Sequence, residues 1–453
     1  MLFYKMLTLL SHTKSLCPVC FKTIDAMVSS EEGRVFLSKD CSDHGSFKVP
    51  HFFESPVLYA GMKRLLDDNH EEVCPDALFL DITGKCNISC PHCFVRDSLS
   101  GEYEPSIEEI ISSIKKFRGS LIYLFGGEPT LREDLSKIVS SLKSGGFYVT
   151  VFTNGVKMSD SDYVKSLNGC GLDLVLLSVD TLNEQQDILL YGSNILAEKK
   201  EAMTNLVNNR IPFILNVVMH RGINEDQTSA FIELLKKYNG ILRGIAFATF
   251  WIPDSQMSQR SLTQYEVIEL IRKDVDVNIS DFIECVHFSY FFSEILRKSV
   301  GKGGRRISAC YLRVYLLNLD GKLVPLGRII DLESLNQTLK KINAKLVSGS
   351  KLNGLRVLWS LPVVFLVSEL LKRKNLRQVI LKQLKDLAAI VIKNQPIATA
   401  FIQNTCSISI NKCFDVFNVD YDFVPLCCVS GVGNAGQMPF CLKEIKNERG
   451  SKK

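Results

Sequence analysis

The sequence predicts an α/β protein: a partial (β/α)6 TIM-like barrel, with a small amino-terminal metal-binding domain and a helical, cysteine-rich carboxy-terminal extension. Three observations predict it. Between residues 76 and 300, six short apolar runs alternate with longer amphipathic stretches. The conspicuous glycine and polar residues fall just after those runs, where the loops of such a barrel converge. Cysteines gather in the first of these loops and in the segments flanking the alternating region.

Residues 1–75 carry Cys17-Pro-Val-Cys20 and, further on, Cys41-Ser-Asp-His44-Gly45 in a short, turn-rich segment. Cys17, Cys20, Cys41 and His44 make a Cys3His set, the donor chemistry of structural zinc or a mononuclear iron. So short a segment folds poorly without such a staple. The bland alternative is free thiols with His44 as a turn residue.

Residues 76–300 supply the barrel. The expected strands are Ala77–Ile82, Leu121–Phe125, Phe147–Phe152, Leu172–Val179, Phe213–Val218 and Ile245–Phe250. Each is a nearly continuous apolar run, the pattern of strands covered on both faces by helices. Helical patterns run over Ile107–Phe117, Leu135–Ser144 and Ala197–Asn208. Strand-helix alternation implies a parallel sheet with right-handed crossovers.

Residues 301–453 are basic at first, then hydrophobic and helical, then cysteine-rich. Val357–Ser368 is an uncharged apolar run too short to span a bilayer. Lys372, Arg373, Lys374 and Arg377 follow it, then the amphipathic stretch Val379–Lys393. That combination suits a helix lying on an anionic membrane surface, and equally a helical pair packed on the barrel.

The 453 residues allow two or three domains, and 46% hydrophobic with 23% charged residues is ordinary globular composition. A net charge of +5 is too mild to argue for nucleic acid, and none is expected as a partner. The start, through Cys20, has an apolar run but no small-residue cleavage site. Fifteen cysteines then point to a reducing compartment where thiolates hold metal. The expected location is the cytoplasm, with peripheral contact at the inner membrane face if the substrate is a lipid.

Cys86-Asn-Ile-Ser-Cys90-Pro-His-Cys93 follows the first strand directly. Three thiolates in so short a loop can hold three irons of a [4Fe–4S] cluster and leave the fourth open. Electron-transfer clusters commonly take four cysteines. Spacing alone leaves a zinc site completed elsewhere as an alternative. Leu124-Phe-Gly126-Gly127-Glu128-Pro-Thr130 then follows the second strand, with glycines that admit close backbone approach and a carboxylate that can answer an ammonium group.

With these two motifs in this order, roughly residues 76–250 resemble the radical S-adenosylmethionine (SAM) superfamily. The resemblance implies that the open iron binds the amino and carboxylate groups of SAM. Gly126, Gly127 and Glu128 would meet its methionyl ammonium, and His92 would stand where the backbone meets adenine. Asn154, Ser178, Asp180 and Asn216 match ribose and carboxylate contacts, although Asp180 equally reads as the cap of a following helix. Cys86, Cys90 and Cys93 would support reductive cleavage of SAM to a 5′-deoxyadenosyl radical that takes hydrogen from an unactivated carbon. A flavodoxin- or ferredoxin-type protein would supply the electron.

The tail holds Cys310, Cys406, Cys413, Cys427, Cys428 and Cys441. Several radical SAM subfamilies place an auxiliary [4Fe–4S] cluster after the barrel, and Cys310, Cys427, Cys428 and Cys441 are its expected ligands. Leu426-Cys-Cys-Val429 followed by Met438-Pro-Phe-Cys441 is similar to the tail of tetraether lipid synthase relatives. That resemblance implies carbon–carbon coupling of a lipid. Near relatives include methyltransferases that modify pterins. This chain departs from the group in having only Cys74 just ahead of the first strand. A methyltransferase or a peptide-modifying maturase is therefore the alternative within the class, and a non-catalytic zinc or iron–sulfur protein the alternative outside it. Cys170 and Cys285 read as ordinary buried cysteines.

Overall fold

Alternating burial along the first fifty residues produces four antiparallel strands in sequential order: β1 (Thr8–Leu16), β2 (Thr23–Glu31), β3 (Arg34–Cys41) and β4 (Gly45–Pro50). The expected turn-rich segment is thus a small sheet, its ligand-bearing turns lying between β1 and β2 and between β3 and β4. One face buries Val28, Val35 and Leu37. The computed structural model describes residues 8–67, 75–91, 93, 101–249, 261–300, 310–319, 321–345, 406–424, 427, 429–433, 436–443 and 445. His92, Cys74, Cys428 and the stretches Val357–Ser368, Lys372–Arg377 and Val379–Lys393 lie outside the described residues.

Helix α1 (Pro56–Asp67) leads to the barrel, which is built as β5 (Ala77–Thr83), α2 (Ile107–Ser113), β6 (Leu121–Gly126), α3 (Leu135–Ser144), β7 (Tyr148–Thr153), α4 (Ser161–Gly169), β8 (Leu174–Ser178), α5 (Glu184–Tyr191), α6 (Leu196–Asn208), β9 (Phe213–Val218), α7 (Thr228–Lys237) and β10 (Leu242–Ala248). Local chemistry sets the helix starts. Ser106 and Glu109 form a reciprocal capping box on α2, and the Asp160 carboxylate accepts from two N–H groups at the start of α4. Strands β5 to β10 pair in parallel, each with the next.

Each barrel strand presents one face to the helices and the other to the barrel interior. Leu78, Leu80 and Ile82 of β5, Val149 and Val151 of β7, and Phe213, Leu215 and Val217 of β9 belong to the large helix-covered core. Their alternates point inward. Ala77, Leu121, Tyr148 and Leu174 form a separate apolar floor. Above the floor Phe79, Tyr123, Phe125 and Phe152 are only half-buried. Expecting strands covered by helices on both faces was therefore wrong for the inner face, which is apolar because it surrounds an interior space. Ring contact between Phe79 and Phe152 (5.3 Å), two strands apart, shows that the sheet curls.

Beyond the six units the chain forms α8 (Gln264–Ile271), α9 (Ile279–Val300), β11 (Tyr311–Leu319), β12 (Lys322–Pro325), α10 (Leu332–Lys345), β13 (Cys406–Asn411), β14 (Val429–Gly433) and β15 (Gly436–Pro439). The described carboxy-terminal residues are therefore richer in strand than the expected helical extension. β13 pairs in parallel with β10, and β14 in parallel with β5. The partial barrel gains a parallel strand at each side, while β11, β12 and β15 add antiparallel edges. Among the described residues no helix is long and apolar enough to cross a membrane.

The amino-terminal sheet docks on the segment joining β13 to β14. Asp420, fully buried, accepts from Thr13 Oγ1 (2.5 Å) and lies 3.1 Å from His51 Nε2. The buried Lys39 ammonium donates to the carbonyls of Phe417 (2.7 Å) and Val416 (3.1 Å) and to Ser15 Oγ (3.1 Å). Phe52 packs on Phe414, and Phe53 on Phe423. A buried polar group stripped of its partner keeps its full desolvation cost. Asp420→Ala should therefore lower unfolding stability by about 3 kcal/mol, read as a lower denaturant midpoint at unchanged iron content.

Candidate active site

The cysteine loop leaves the tip of β5 and is held by the loop that leaves β6. The Gly127 N–H donates to the Thr83 carbonyl, and the Glu128 N–H to that of Lys85, each at 2.7 Å. This approach needs both glycines. A Cβ on Gly126 would lie 2.3 Å from the Thr83 oxygen, and one on Gly127 2.2 Å from the Lys85 oxygen. Gly126 also has φ +124°, where other residues are strained. The pair thus fits one loop onto the backbone of the other, a role distinct from the direct ligand approach expected from the sequence.

Glu128 is 1% exposed and binds within the rim. Its Oε1 accepts from Thr130 Oγ1 (2.5 Å), Thr130 N (3.1 Å) and Thr153 Oγ1 (2.7 Å); its Oε2 accepts from Asn154 N (2.7 Å). Burial raises its pKa, against these hydrogen bonds. A carboxylate has about four acceptor positions, so Oε2 retains capacity for one more donor. Asn154 carries the brace onward, its Nδ2 donating to Asn87 Oδ1 inside the cysteine loop (2.7 Å).

Cys86 is exposed while Cys90 and Cys93 are half-buried. Burial pushes the Cys90 thiol up to about 12, and the neighbouring Cys93, Asp180 and Cys86 add to the rise. Cys86 is raised too, by burial and then by Glu128 and Cys93. The three sulfurs therefore feel one another, and holding them all as thiolates calls for a cation. Among the described residues they do not form a group close enough to share a single ion. The chemistry of the donor set fits three corners of an iron–sulfur cluster, which Cys86, Cys90 and Cys93 could hold.

Beneath Cys90 lies a fully buried polar group that the sequence reading missed. Lys199 pairs with Asp187 (3.0 Å), and its ammonium sits over the Tyr191 ring (3.0 Å from the centroid). Tyr191 Oη accepts from the Asp180 N–H (2.9 Å). Ile88 and Cys90 pack on the small apolar cluster of Leu190, Tyr191, Ile195 and Ile223. Gly192, at the end of α5, comes close enough to Ser89 that a Cβ would lie 3.1 Å from its oxygen. The signal in the sequence was faint: a lysine on what should be the inner face of α6. Asp180 does not cap α5; Asn183 does. Asp180 Oδ1 instead accepts from Val218 N (2.7 Å), tying the β8 tip to β9. Ser178 and Asn216 are neighbours in register across those two strands.

The amino-terminal set is brought together tightly. The ligand atoms of Cys17, Cys20, Cys41 and His44 all lie within 4.8 Å of one another. Cys41 Sγ to His44 Nδ1 is 3.5 Å, Cys17 Sγ to His44 Nδ1 3.7 Å, and Cys20 Sγ to Cys41 Sγ 3.9 Å. A tetrahedron with zinc–sulfur bonds of about 2.3 Å has edges of about 3.8 Å, so these four residues fit zinc through Nδ1 of His44. The His44 contact, then the Asp43 N–H, lower the Cys41 thiol. Burial raises that of Cys17, but the Cys20 and Val19 N–H groups outweigh it.

Of the expected auxiliary ligands, Cys310, Cys427 and Cys441 share a neighbourhood: burial raises the Cys427 thiol, and the proximity of Cys310 and Cys441 adds to it. Cys427 Sγ donates to the Val429 carbonyl (3.1 Å). Cys285 is buried as expected, whereas Cys170 is half-buried.

Residues 80–235 match the Radical SAM superfamily, and residues 9–51 match the HMPTM N-terminal zinc ribbon domain. The chain thus contains a radical SAM domain preceded by a zinc ribbon, the class of protein its fold and its two cysteine sites define. A radical SAM domain implies a [4Fe–4S] cluster and SAM, and the Cys/His set of the ribbon fits zinc. More particularly, the chain is similar to a 7,8-dihydro-6-hydroxymethylpterin dimethyltransferase of Methanocaldococcus jannaschii. The two are 27% identical over 95% of this chain and 92% of that protein. A probable GTP 3′,8-cyclase of Pyrococcus horikoshii is 31% identical over 37% of this chain, which spans 54% of the cyclase. Among solved structures, Streptococcus suis SuiB bound to S-adenosylmethionine aligns at TM-score 0.39 and 14% identity, over 50% of this chain and 51% of that one. That likeness is too loose to build on.

Two substitutions separate the metal centres. Cys90→Ala should remove about four irons per chain and the visible absorption of the cluster while sparing zinc. Cys41→Ser should remove about one zinc per chain and lower the unfolding midpoint. Both are read by elemental analysis of the purified variants.

Proposed function

We propose that this protein is a radical SAM methyltransferase whose substrate is a reduced pterin. The observation that carries the proposal is the end-to-end likeness to the pterin dimethyltransferase, which includes both the ribbon and the radical SAM domain. The barrel interior supports it: an apolar floor and a half-buried aromatic layer suit a flat ring better than a long acyl chain. The lipid-coupling expectation drew on Val357–Lys393, which lies outside the described residues, and on a tail pattern shared with that group. Methyl transfer, the alternative named from the sequence, has the better support.

When bound, the cluster and SAM supply one-electron cleavage of a carbon–sulfur bond and the methyl group to be transferred. Cys86, Cys90 and Cys93 would hold the cluster at the tip of β5. Oε2 of Glu128, braced by Asn154, would accept the methionyl ammonium, and Ser178, Asp180 and Asn216 would face the rest of the cofactor from β8 and β9. Cys310, Cys427 and Cys441, with Cys428, are proposed to hold an auxiliary [4Fe–4S] cluster. A flavodoxin- or ferredoxin-type protein would deliver the electrons, in the cytoplasm. We place the functional boundaries near residues 75 and 300.

The test is anaerobic incubation of reconstituted protein with dithionite, SAM labelled in its methyl group, and 6-hydroxymethyl-7,8-dihydropterin. The expected result is label in the pterin. Formation of 5′-deoxyadenosine with no label in the pterin would contradict the assignment.

A further inference from the structure

The inner face of β5 carries one charged residue. Leu78, Leu80 and Ile82 face the helices, while Ala77 lies in the floor and Phe79 in the aromatic layer. Asp81 is next on that inner face, above Phe79 and five residues before Cys86. Its side chain is 10% exposed. One oxygen, Oδ2, is paired with the Lys443 ammonium, which reaches in from the carboxy-terminal segment past the Phe440 ring. The other, Oδ1, is buried and has no hydrogen-bond partner among the described residues.

A buried carboxylate oxygen without a donor is costly, and such an orphan in a native fold calls for a donor from outside the chain or a role in the chemistry. Its surroundings indicate what kind. Phe79 stacks on Tyr123 at 4.9 Å and touches Phe125, Phe152 and Phe440 at 5.3, 5.3 and 4.7 Å. These rings form an aromatic layer one step along the inner face from the carboxylate, and Phe79, Tyr123, Phe125 and Phe152 remain partly exposed. A ligand meeting both features is a flat heteroaromatic ring presenting N–H donors along one edge. The 2-amino-4-oxopyrimidine edge is such a group, with its ring N–H and exocyclic amine side by side.

We propose that Asp81 is the specificity-determining residue of this barrel: Oδ1 accepts an N–H bond from the exocyclic 2-amino group of the aminopyrimidinone edge while the ring lies against the aromatic layer around Phe79. The assignment rests on the pterin reading for its choice of ring, but the edge it names is shared by guanine. Lys443 holds Oδ2 and so fixes the direction in which Oδ1 points.

The experiment measures anaerobic binding by calorimetry to reconstituted protein, with iron content as the check on folding. Wild type should bind 6-hydroxymethyl-7,8-dihydropterin about 10- to 100-fold more tightly than its 2-deamino analogue, as expected where a buried acceptor loses its donor. Asp81→Asn should bring the two affinities to within about threefold at full iron content, since its amide can turn a donor toward the ligand. An undiminished preference in Asp81→Asn would overturn the assignment. So would loss of iron from that variant, which would mark the ion pair as a structural strut. Guanosine and inosine triphosphates separate the two readings. If wild type ignores the pterin but prefers guanosine triphosphate in an Asp81-dependent way, the pterin reading fails and the Asp81 assignment stands. If it binds no compound carrying the edge, both fall.

Discussion

Everything at the strand tips depends on the contact between two loops. Gly126 and Gly127 bring the backbone after β6 against the carbonyls of Thr83 and Lys85, and no side chain larger than hydrogen fits at either position. That contact sets the base of the cysteine loop. It also aims the buried Glu128 carboxylate at Thr130, Thr153 and the Asn154 N–H, so three successive strand ends become one hydrogen-bonded rim. Desolvation of Glu128 is offset only because its oxygens are multiply bonded there. The three cysteines of the loop are thus placed by backbone geometry before any metal is considered.

A second constraint comes from below. Cys90 rests on the apolar cluster that contains Tyr191 and Ile195, near a buried lysine whose charge is answered by Asp187. Burying an ion pair under a metal loop costs desolvation energy that hydrogen bonding must return. Here it also places a positive charge near Cys90, which favours the thiolate that holding a cluster would require. The ribbon supplies the third constraint. Through Asp420 and Lys39 it fastens the segment between β13 and β14, the strands that extend the barrel on its two sides.

Much of this was legible in the sequence, for physical reasons. Phe213–Val218 and Leu135–Ser144 coincide with their observed elements, because side-chain periodicity there is set by the element itself. The ribbon ligands could be read from spacing, since a tetrahedral ion dictates it. β13 and β14 could not. Their strand character comes from slots beside β10 and β5, which exist only once the barrel has formed. Asp81 left a trace, one charge in an apolar strand, but its meaning depends on which face looks inward. The partners of Glu128 were hidden because Thr130 and Thr153 meet it only across a turn and a strand.

The account's central claim is that three cysteines leave one iron of the cluster open to SAM at this rim. The most direct measurement is the low-temperature electron paramagnetic resonance spectrum of dithionite-reduced, reconstituted protein, before and after SAM is added. The account predicts that the cofactor shifts the g-values of the cluster signal. A cluster signal indifferent to saturating SAM would contradict it.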